Sequence, residues 1–480
     1  MKSLLLKCTA IVLLFAMSGF AQDVSDLEEA FGSPNIIPLN INYSGTGARA
    51  AGMGNAFLGL SDDVTAPSWN PAGLFNLDQP ILSLSYTSTL PRGETSTDLA
   101  LPTQPSTLNH NGSIDGISGI NFVAPLRIKG QPFVGSFSYA REYDEYWSTL
   151  ASDSAVLIYQ PTVQLDTTII NGITEQETAG KMNSVAFGLA TRIYRSWSAG
   201  VTLNIYTGDI VRDAVNSTVI DSLTRPTGDV VRQVDKRNVL DSLAFSGYNF
   251  TVGFKLNKEK FGFGLVLQTP FDLEVETDRS VYLVRTQNGL PTEAGSDTVF
   301  FDNLLAKYEM PWMLGVGFAF RPNEKLTLAL DGEYRNFGSQ AVLLRDSLFL
   351  DPGGENEEFF TEIPGDDLWK NTFHARVGAE YMTTHDWARI PIRVGFGYVP
   401  SFVPSINEAL ETELTTSWLL TLGAGIWWSQ IHFDIAYAYQ TRDLEIREIS
   451  LNEAEGVVES AGWDIQNKDH SIRATFTGYF

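Results

Sequence analysis

Few residues in this chain are of a type and spacing that could do covalent chemistry. Its five histidines, His110, His374, His385, His432 and His470, are scattered, with no H-E-x-x-H pair and no G-x-S-x-G elbow anywhere. His374 and His432 fall on polar faces of alternating segments with no nucleophile constellation beside them, and read as ordinary lining residues. The single cysteine, Cys8, excludes a disulfide framework and a cysteine-rich zinc site. Gly45, Gly47, Gly52 and Gly54 depart from the G-x-G-x-x-G spacing, and no hydrophobic parallel strand precedes them, so they are not read as a phosphate cradle. The expectation is a protein that is not an enzyme and needs neither metal nor cofactor. What remains is binding chemistry. Arg335, Arg376, Arg393 and Arg473 lie on polar faces, where they can hold an anion or pair with Asp331, Glu333, Glu380 and Asp434. The acidic runs 354–367 and 407–413 read as solvated loop surface, or as carboxylates that divalent cations could bridge to lipopolysaccharide phosphates.

The elements that must position these side chains follow from composition and periodicity. The 480 residues carry 33 Lys+Arg against 57 Asp+Glu, a net charge of -24, which argues against nucleic acid. An apolar fraction of 43% can bury a core or coat a lipid-facing surface. Residues 1–21 have the plan of a cleaved secretory signal peptide: Lys2 and Lys7, a short apolar stretch from Cys8 to Met17, then Gly19-Phe20-Ala21. Beyond it no run of about 18 uncharged apolar residues occurs.

From residue 81 one unit repeats, a strand of period two ending in turn residues. Ile431, Phe433, Ile435, Tyr437 and Tyr439 share one face, with His432, Asp434, Ala436, Ala438 and Gln440 on the other. The same alternation sets Leu328 and Leu330 against Ala329, Asp331 and Glu333, and Ile392, Val394 and Phe396 against Arg393, Gly395 and Gly397. About fourteen such strands are expected, near 81–90, 117–126, 131–142, 182–194, 197–207, 244–256, 261–270, 307–320, 325–337, 371–382, 390–400, 415–428, 431–441 and 468–480. Short connections (127–130, 195–196, 257–260, 321–324, 383–389, 429–430) alternate with long ones (91–116, 143–181, 208–243, 271–306, 338–370, 401–414, 442–467). That asymmetry belongs to transmembrane barrels, with short periplasmic turns and long extracellular loops. A secreted soluble sandwich or propeller is the alternative, but a ring of about fourteen strands is too wide to fill with side chains. Tyr194, Trp197, Trp312, Phe337, Tyr398, Trp427, Trp428, Tyr437 and Tyr439 are expected in interfacial girdles. The last strand ends on Phe480, with Ile472, Ala474, Phe476 and Gly478 on its face, as in strands that outer-membrane assembly machinery recognises. The fold class is therefore an all-β transmembrane barrel of the outer membrane of a Gram-negative-type bacterium, in contact with outer-membrane lipid and lipopolysaccharide.

Residues 22–80 do not alternate. Their small residues and the Asn70-Pro71 turn, placed ahead of a wide barrel, suit a plug folded in the lumen. Here the sequence resembles a known family. Gly47-Ala48-Arg49-Ala50-Ala51-Gly52-Met53-Gly54-Asn55-Ala56-Phe57, then Asp62-Asp63 and Asn70-Pro71-Ala72-Gly73, look like the N-terminal hatch of FadL-type transporters of hydrophobic compounds. Lys260–Leu265 leading to Thr269-Pro270-Phe271, Met310–Gly317 and Pro391–Tyr398 are similar to its barrel strands. The likeness covers most of the chain after residue 21, and the hatch signature is its specific part.

The resemblance implies a barrel with a hatch and passive uptake of long-chain fatty acids or other hydrophobic molecules. It further implies an apolar ligand pocket, a hatch that shifts, and sideways exit beside a kinked third strand, for which Pro132 and Gly135 are the candidates. The basic residues that hold a fatty-acid carboxylate in that family have no match in this sequence. A related branch with similar Gly-Ala-Arg-Ala and Trp-Asn-Pro-Ala signatures serves type IX protein secretion, which makes a barrel binding secreted substrates or translocon partners the competing reading. A general porin is the third.

Overall fold

A computed structural model describes residues 45–97, 107–111, 113–159, 166–224, 229–288, 290–345, 360–364, 369–406, 412–452 and 457–480. The expected signal peptide, residues 22–44 of the hatch and most of both acidic runs lie outside these.

Alternation in the sequence becomes an antiparallel sheet closed on itself. Its strands are β1 (Ile81–Thr97), β2 (Ile114–Ile128), β3 (Gln131–Tyr159), β4 (Asp166–Tyr194), β5 (Trp197–Thr224), β6 (Asp229–Asn257), β7 (Phe261–Gln268), β8 (Met313–Phe320), β9 (Leu326–Arg335), β10 (Thr372–Thr384), β11 (Arg389–Tyr398), β12 (Ser417–Trp428), β13 (Ile431–Asn452) and β14 (Val457–Tyr479). Each pairs with the next, and β14 returns to β1 from Ile81↔Tyr479 to Thr97↔Trp463. Closure leaves no open edge, the condition for a sheet in lipid. Fourteen strands form the ring.

Faces sort by chemistry. Leu82, Leu84, Phe187, Leu330, Ile392, Leu422 and Phe476 are exposed on the outside, where lipid replaces water. Their alternates Asp331, Glu333, Arg335, Arg376, Glu380, Arg393 and Asp434 are buried inside. Tyr194, Trp428 and Tyr437 are exposed outside, as expected of girdles. Phe337 and Trp427 are not girdle residues: Phe337 is buried in the lumen, and Trp427 stacks on His432 with ring centroids 4.6 Å apart. Trp427 belongs by register to the inward set of β12.

Two expectations about strand ends change. The strand expected over 307–320 is two elements, because Pro311 cannot donate to a ladder. Only Met313–Phe320 joins the barrel, while Leu290–Met310 forms a hairpin with Phe271–Gln287 that pairs with the upper part of β6. The connections expected over 143–181 and 208–243 are largely strand: β3, β4 and β6 have 29 residues each and β5 has 28. A bilayer needs only about 9–11 residues per strand, so these hairpins project far beyond it. Their polar, Thr- and Val-containing alternation carries them through turn-type residues such as Asn171-Gly172, Gly180 and Gly208 without ending the strand.

Candidate functional site: the hatch, the lumen above it and a gap in the wall

Inside the ring, Gly45 to Pro80 fold as short turns rather than strands. Helix α1 (Ala48–Gly52) is five residues of mostly alanine and glycine, small enough to lie on the wall, where Ala48 and Ala51 pack on Ala436. Asn70 then caps the 3-10 helix Pro71–Asn76. Its side chain accepts from the Ala72 amide at 3.1 Å, and Pro71 occupies the first position, where no donor is needed. The same Asn70 amide donates to the carbonyls of Leu58 and of Phe254 in β6, both at 3.2 Å. One residue thus folds the hatch and ties it to the wall.

The wall meets the hatch with backbone. Any Cβ at Gly264 in β7 would lie 2.2 Å from the Leu58 carbonyl, and one at Gly395 in β11 would lie 2.0 Å from the Gly54 nitrogen. Inward glycines among otherwise polar or charged alternates therefore mark where the hatch touches. The glycines are visible in the sequence, but the backbone they meet is not.

Ion pairs complete the seating. Arg49 forms a two-pronged contact to Glu380, Nε to Oε2 and Nη2 to Oε1, both at 3.0 Å, while its Nη1 lies 2.7 Å from Asp62. Glu380 also accepts from Arg393 at 2.7 Å, and Arg393 reaches Asp434 at 2.7 Å. Arg321, in the turn after β8, binds the other oxygen of Asp62 at 3.1 Å. Burial pushes the Asp62 carboxyl up, but Arg49, Lys255 and Arg321 outweigh it and hold it at about 2. For its neighbour Asp63 burial wins over Arg49, and that carboxyl is raised. Lys255, fully buried on β6, donates to the carbonyls of Leu60 and Ser61. In the sequence its only trace is one lysine between Phe254 and Leu256.

The four arginines expected to face the lumen do so, and their partners differ from the expected set at two points. Arg335 and Arg376 share Glu333, at 2.8 and 2.9 Å, and Arg393 pairs as above. Asp331 instead accepts the backbone amides of Phe57 and Leu58 in the hatch, at 2.5 and 2.7 Å. Arg473 has no carboxylate within ion-pair distance among the described residues; it donates to the Gly45 carbonyl at 2.9 Å and the Thr87 hydroxyl at 3.2 Å.

On the periplasmic side of the hatch is a cavity of about 190 Å³ in which the charged Arg49, Asp62 and Asp63 face Trp427, His432 and Tyr479. On the extracellular side the lumen is filled by apolar side chains. Tyr308, Phe337, Trp369 and Phe402 pack with Met182, Ile210, Leu243 and Leu273, with the Phe337 and Phe402 rings stacked at 4.2 Å. Most of these come from connections, 271–310, 337–345, 369–371 and 399–403, and periodicity could not place them.

Among the described residues the wall opens between β2 and β3, whereas the short interruption of the β11–β12 ladder at Ile390 and Pro391 resumes in the same register. The β2–β3 ladder runs from Ile128↔Gln131 to Gly119↔Ala140 and stops, although both strands continue. Pairing resumes only above, at Asn111↔Ser148. Ser118 is bulged out of the β1–β2 register and Glu142 out of the β3–β4 register. Gly116 has φ 143°, and a Cβ there would sit 2.4 Å from the Arg141 guanidinium, so that side chain lies across the gap. By contrast the β2–β3 ladder runs unbroken through Pro132 and Gly135, and the β3–β4 ladder, which starts at Phe133, runs unbroken through Gly135. The irregularity of the third strand is at Glu142, not at those residues, because Pro132 sits at the strand start, where its missing donor costs nothing.

A closed barrel with apolar outside, ion-paired hatch inside and an apolar plug of side chains above defines an outer-membrane β-barrel channel rather than a catalyst. The chain belongs to the outer membrane protein transport protein family (OMPP1/FadL/TodX), whose model matches residues 40–468. Its fold is shared with a Pseudomonas aeruginosa FadL homologue (14% identity, TM-score 0.53, 89% of this chain and 97% of that one). The P. putida toluene transporter TodX aligns at 12% identity and TM-score 0.53, over 92% of this chain and 99% of that one. The Ralstonia pickettii toluene transporter TbuX aligns at 12% identity and TM-score 0.50, over 92% and 99%. No curated protein sequence matches the chain. These matches make it an outer-membrane hydrophobic-compound transporter and not an enzyme, and give the protein-secretion reading no support.

Proposed function

We propose that the protein takes up long-chain fatty acids or similar hydrophobic molecules passively, by a route that avoids the polar periplasmic mouth. Ligand would enter the apolar side chains above the hatch, a shift of the hatch would open the space beneath, and ligand would leave sideways between β2 and β3. The observation that carries this reading is the juxtaposition of an apolar lumen with a wall gap on the same side of a polar, ion-paired hatch. A greasy solute gains about 25 cal/mol per Å² by staying in apolar surroundings, and a sideways exit delivers it to lipid without crossing the charged layer. Arg473, which faces the lumen with no carboxylate in ion-pair distance among the described residues, supports an acidic head group on that solute.

The test is native mass spectrometry of the purified protein with displacement of a fluorescent long-chain fatty acid. It should be joined to uptake by a variant lacking Glu142, in which Arg141↔Asn183 and Tyr143↔Met182 become consecutive and the bulge is removed. Displacement at micromolar competitor with uptake cut at least tenfold by the deletion is the expected result. Binding with unchanged uptake would refute the sideways exit, and no binding at all would refute the transport of fatty acids.

A further inference from the structure

Where β14 closes on β1, the outer wall sets two positive charges against each other. Arg92 stands directly opposite Lys468, and Leu90 opposite His470. These even-numbered residues share the lipid-facing side with the exposed Leu82, Leu84, Tyr86, Ile472 and Phe476. Both cations are exposed, and neither has an acidic side chain within 4 Å among the described residues. Asp443 of β13 and Glu94 of β1 stand on the same face two residues higher, on either side of Gln466. Like charges directly opposed on an antiparallel pair destabilise it, and this pair occurs in a chain of net charge -24.

Height decides what the pair meets. Ten residues separate Leu82, at the periplasmic end of the apolar face, from Arg92. At about 3.3 Å per residue and a strand tilt of about 40°, that is roughly 25 Å, the height of the apolar band of such barrels. Arg92 and Lys468 therefore stand at head-group level in the extracellular leaflet. Just below them His470 hydrogen-bonds the Tyr437 hydroxyl at 2.7 Å and lies 5.1 Å from the Tyr439 ring, an aromatic floor at the acyl boundary.

We propose that Arg92 and Lys468, seated on His470, Tyr437 and Tyr439, form a binding site for a phosphate of lipid A, the membrane anchor of lipopolysaccharide. A doubly charged phosphate between them turns the repulsion into two charge-assisted contacts, with acyl chains on the apolar wall beneath. The site rests on the membrane placement of the barrel and not on what the lumen carries.

Delipidated protein in a non-ionic detergent, with bisphosphorylated lipid A added, is read by native mass spectrometry. Wild type should retain one lipid A at a concentration at least tenfold below that needed by Arg92→Gln/Lys468→Gln, and an excess of phosphatidylglycerol should not displace it. A second variant, Arg92→Glu, gives the pair opposite charges. It should melt above wild type without lipid, and lipid A should raise Tm of wild type but not of this variant. Equal lipid A retention by wild type and the double variant would overturn the site, as would equal Tm gains in wild type and Arg92→Glu. Displacement by phosphatidylglycerol would replace it with a general belt of anionic lipid.

Discussion

Arg49 in the hatch and Glu380 in β10 are joined by two parallel hydrogen bonds of 3.0 Å, and Glu380 is in turn held by Arg393. Removing one member of such a buried set leaves an uncompensated charge, at a cost of about 3–5 kcal/mol. Arg49→Ala should therefore loosen the hatch while leaving the barrel intact. In planar bilayers it should show frequent openings to small ions that wild type lacks, with unchanged heat-modifiable migration on gels. A silent Arg49→Ala channel would mean that the pair does not hold the hatch shut.

The whole hatch can be tested the same way. Deleting residues 22–75 should leave a barrel that inserts into membranes and leaks small polar solutes, since every barrel strand is paired without it. Unchanged conductance after that deletion would remove the plug assignment.

Acid should act through Asp62. Its carboxyl is held at about 2 against an ordinary 3.8, so the charged form is favoured in the folded state. Stability from this group is present in full above its ordinary value and is lost as pH falls through about 2. The lowering corresponds to about 2 kcal/mol. Between pH 5 and pH 2 wild type should lose more hatch stability than Asp62→Asn, as read by hydrogen exchange of hatch amides. Parallel pH profiles for the two proteins would contradict this; the raised carboxyl of Asp63 works in the opposite sense, and Asp62→Asn removes one of the charges that raise it.

Backbone contact should be as strict as the ion pairs. A valine at Gly395 would collide with the Gly54 nitrogen, and one at Gly264 with the Leu58 carbonyl. Either substitution should unseat the hatch and raise conductance, whereas Gly130→Val, at a turn with nothing within 4 Å of a Cβ, should not. Because Gly130 has φ 83°, a small loss of barrel stability is expected there instead.

Arg473→Gln separates head group from tail. Fatty-acid binding should weaken about tenfold while binding of a neutral alkane of equal length stays the same, by the displacement assay above. Equal loss for both ligands would assign Arg473 to holding Gly45 rather than ligand.

Much of this was legible in the residues alone. Period-two alternation places Arg393, Glu380 and Asp434 inward and Ile392, Val394 and Phe396 outward, because a pleated strand admits only two faces. Alternating short and long connections then orient the barrel in its membrane. The hatch was legible as small residues and an Asn-Pro turn, without its partners. Only the tertiary structure decided that Asp331 receives amides of the hatch and not an arginine, and that Lys255 caps Leu60 and Ser61. It also decided that Phe337 and Trp427 face the lumen, and that the third strand breaks at Glu142 rather than near Pro132. The reason is common to all of these. Periodicity determines the face on which a residue stands, but which group it meets across a closed lumen depends on register and curvature summed over segments as much as 428 residues apart, as for Gly45 and Arg473.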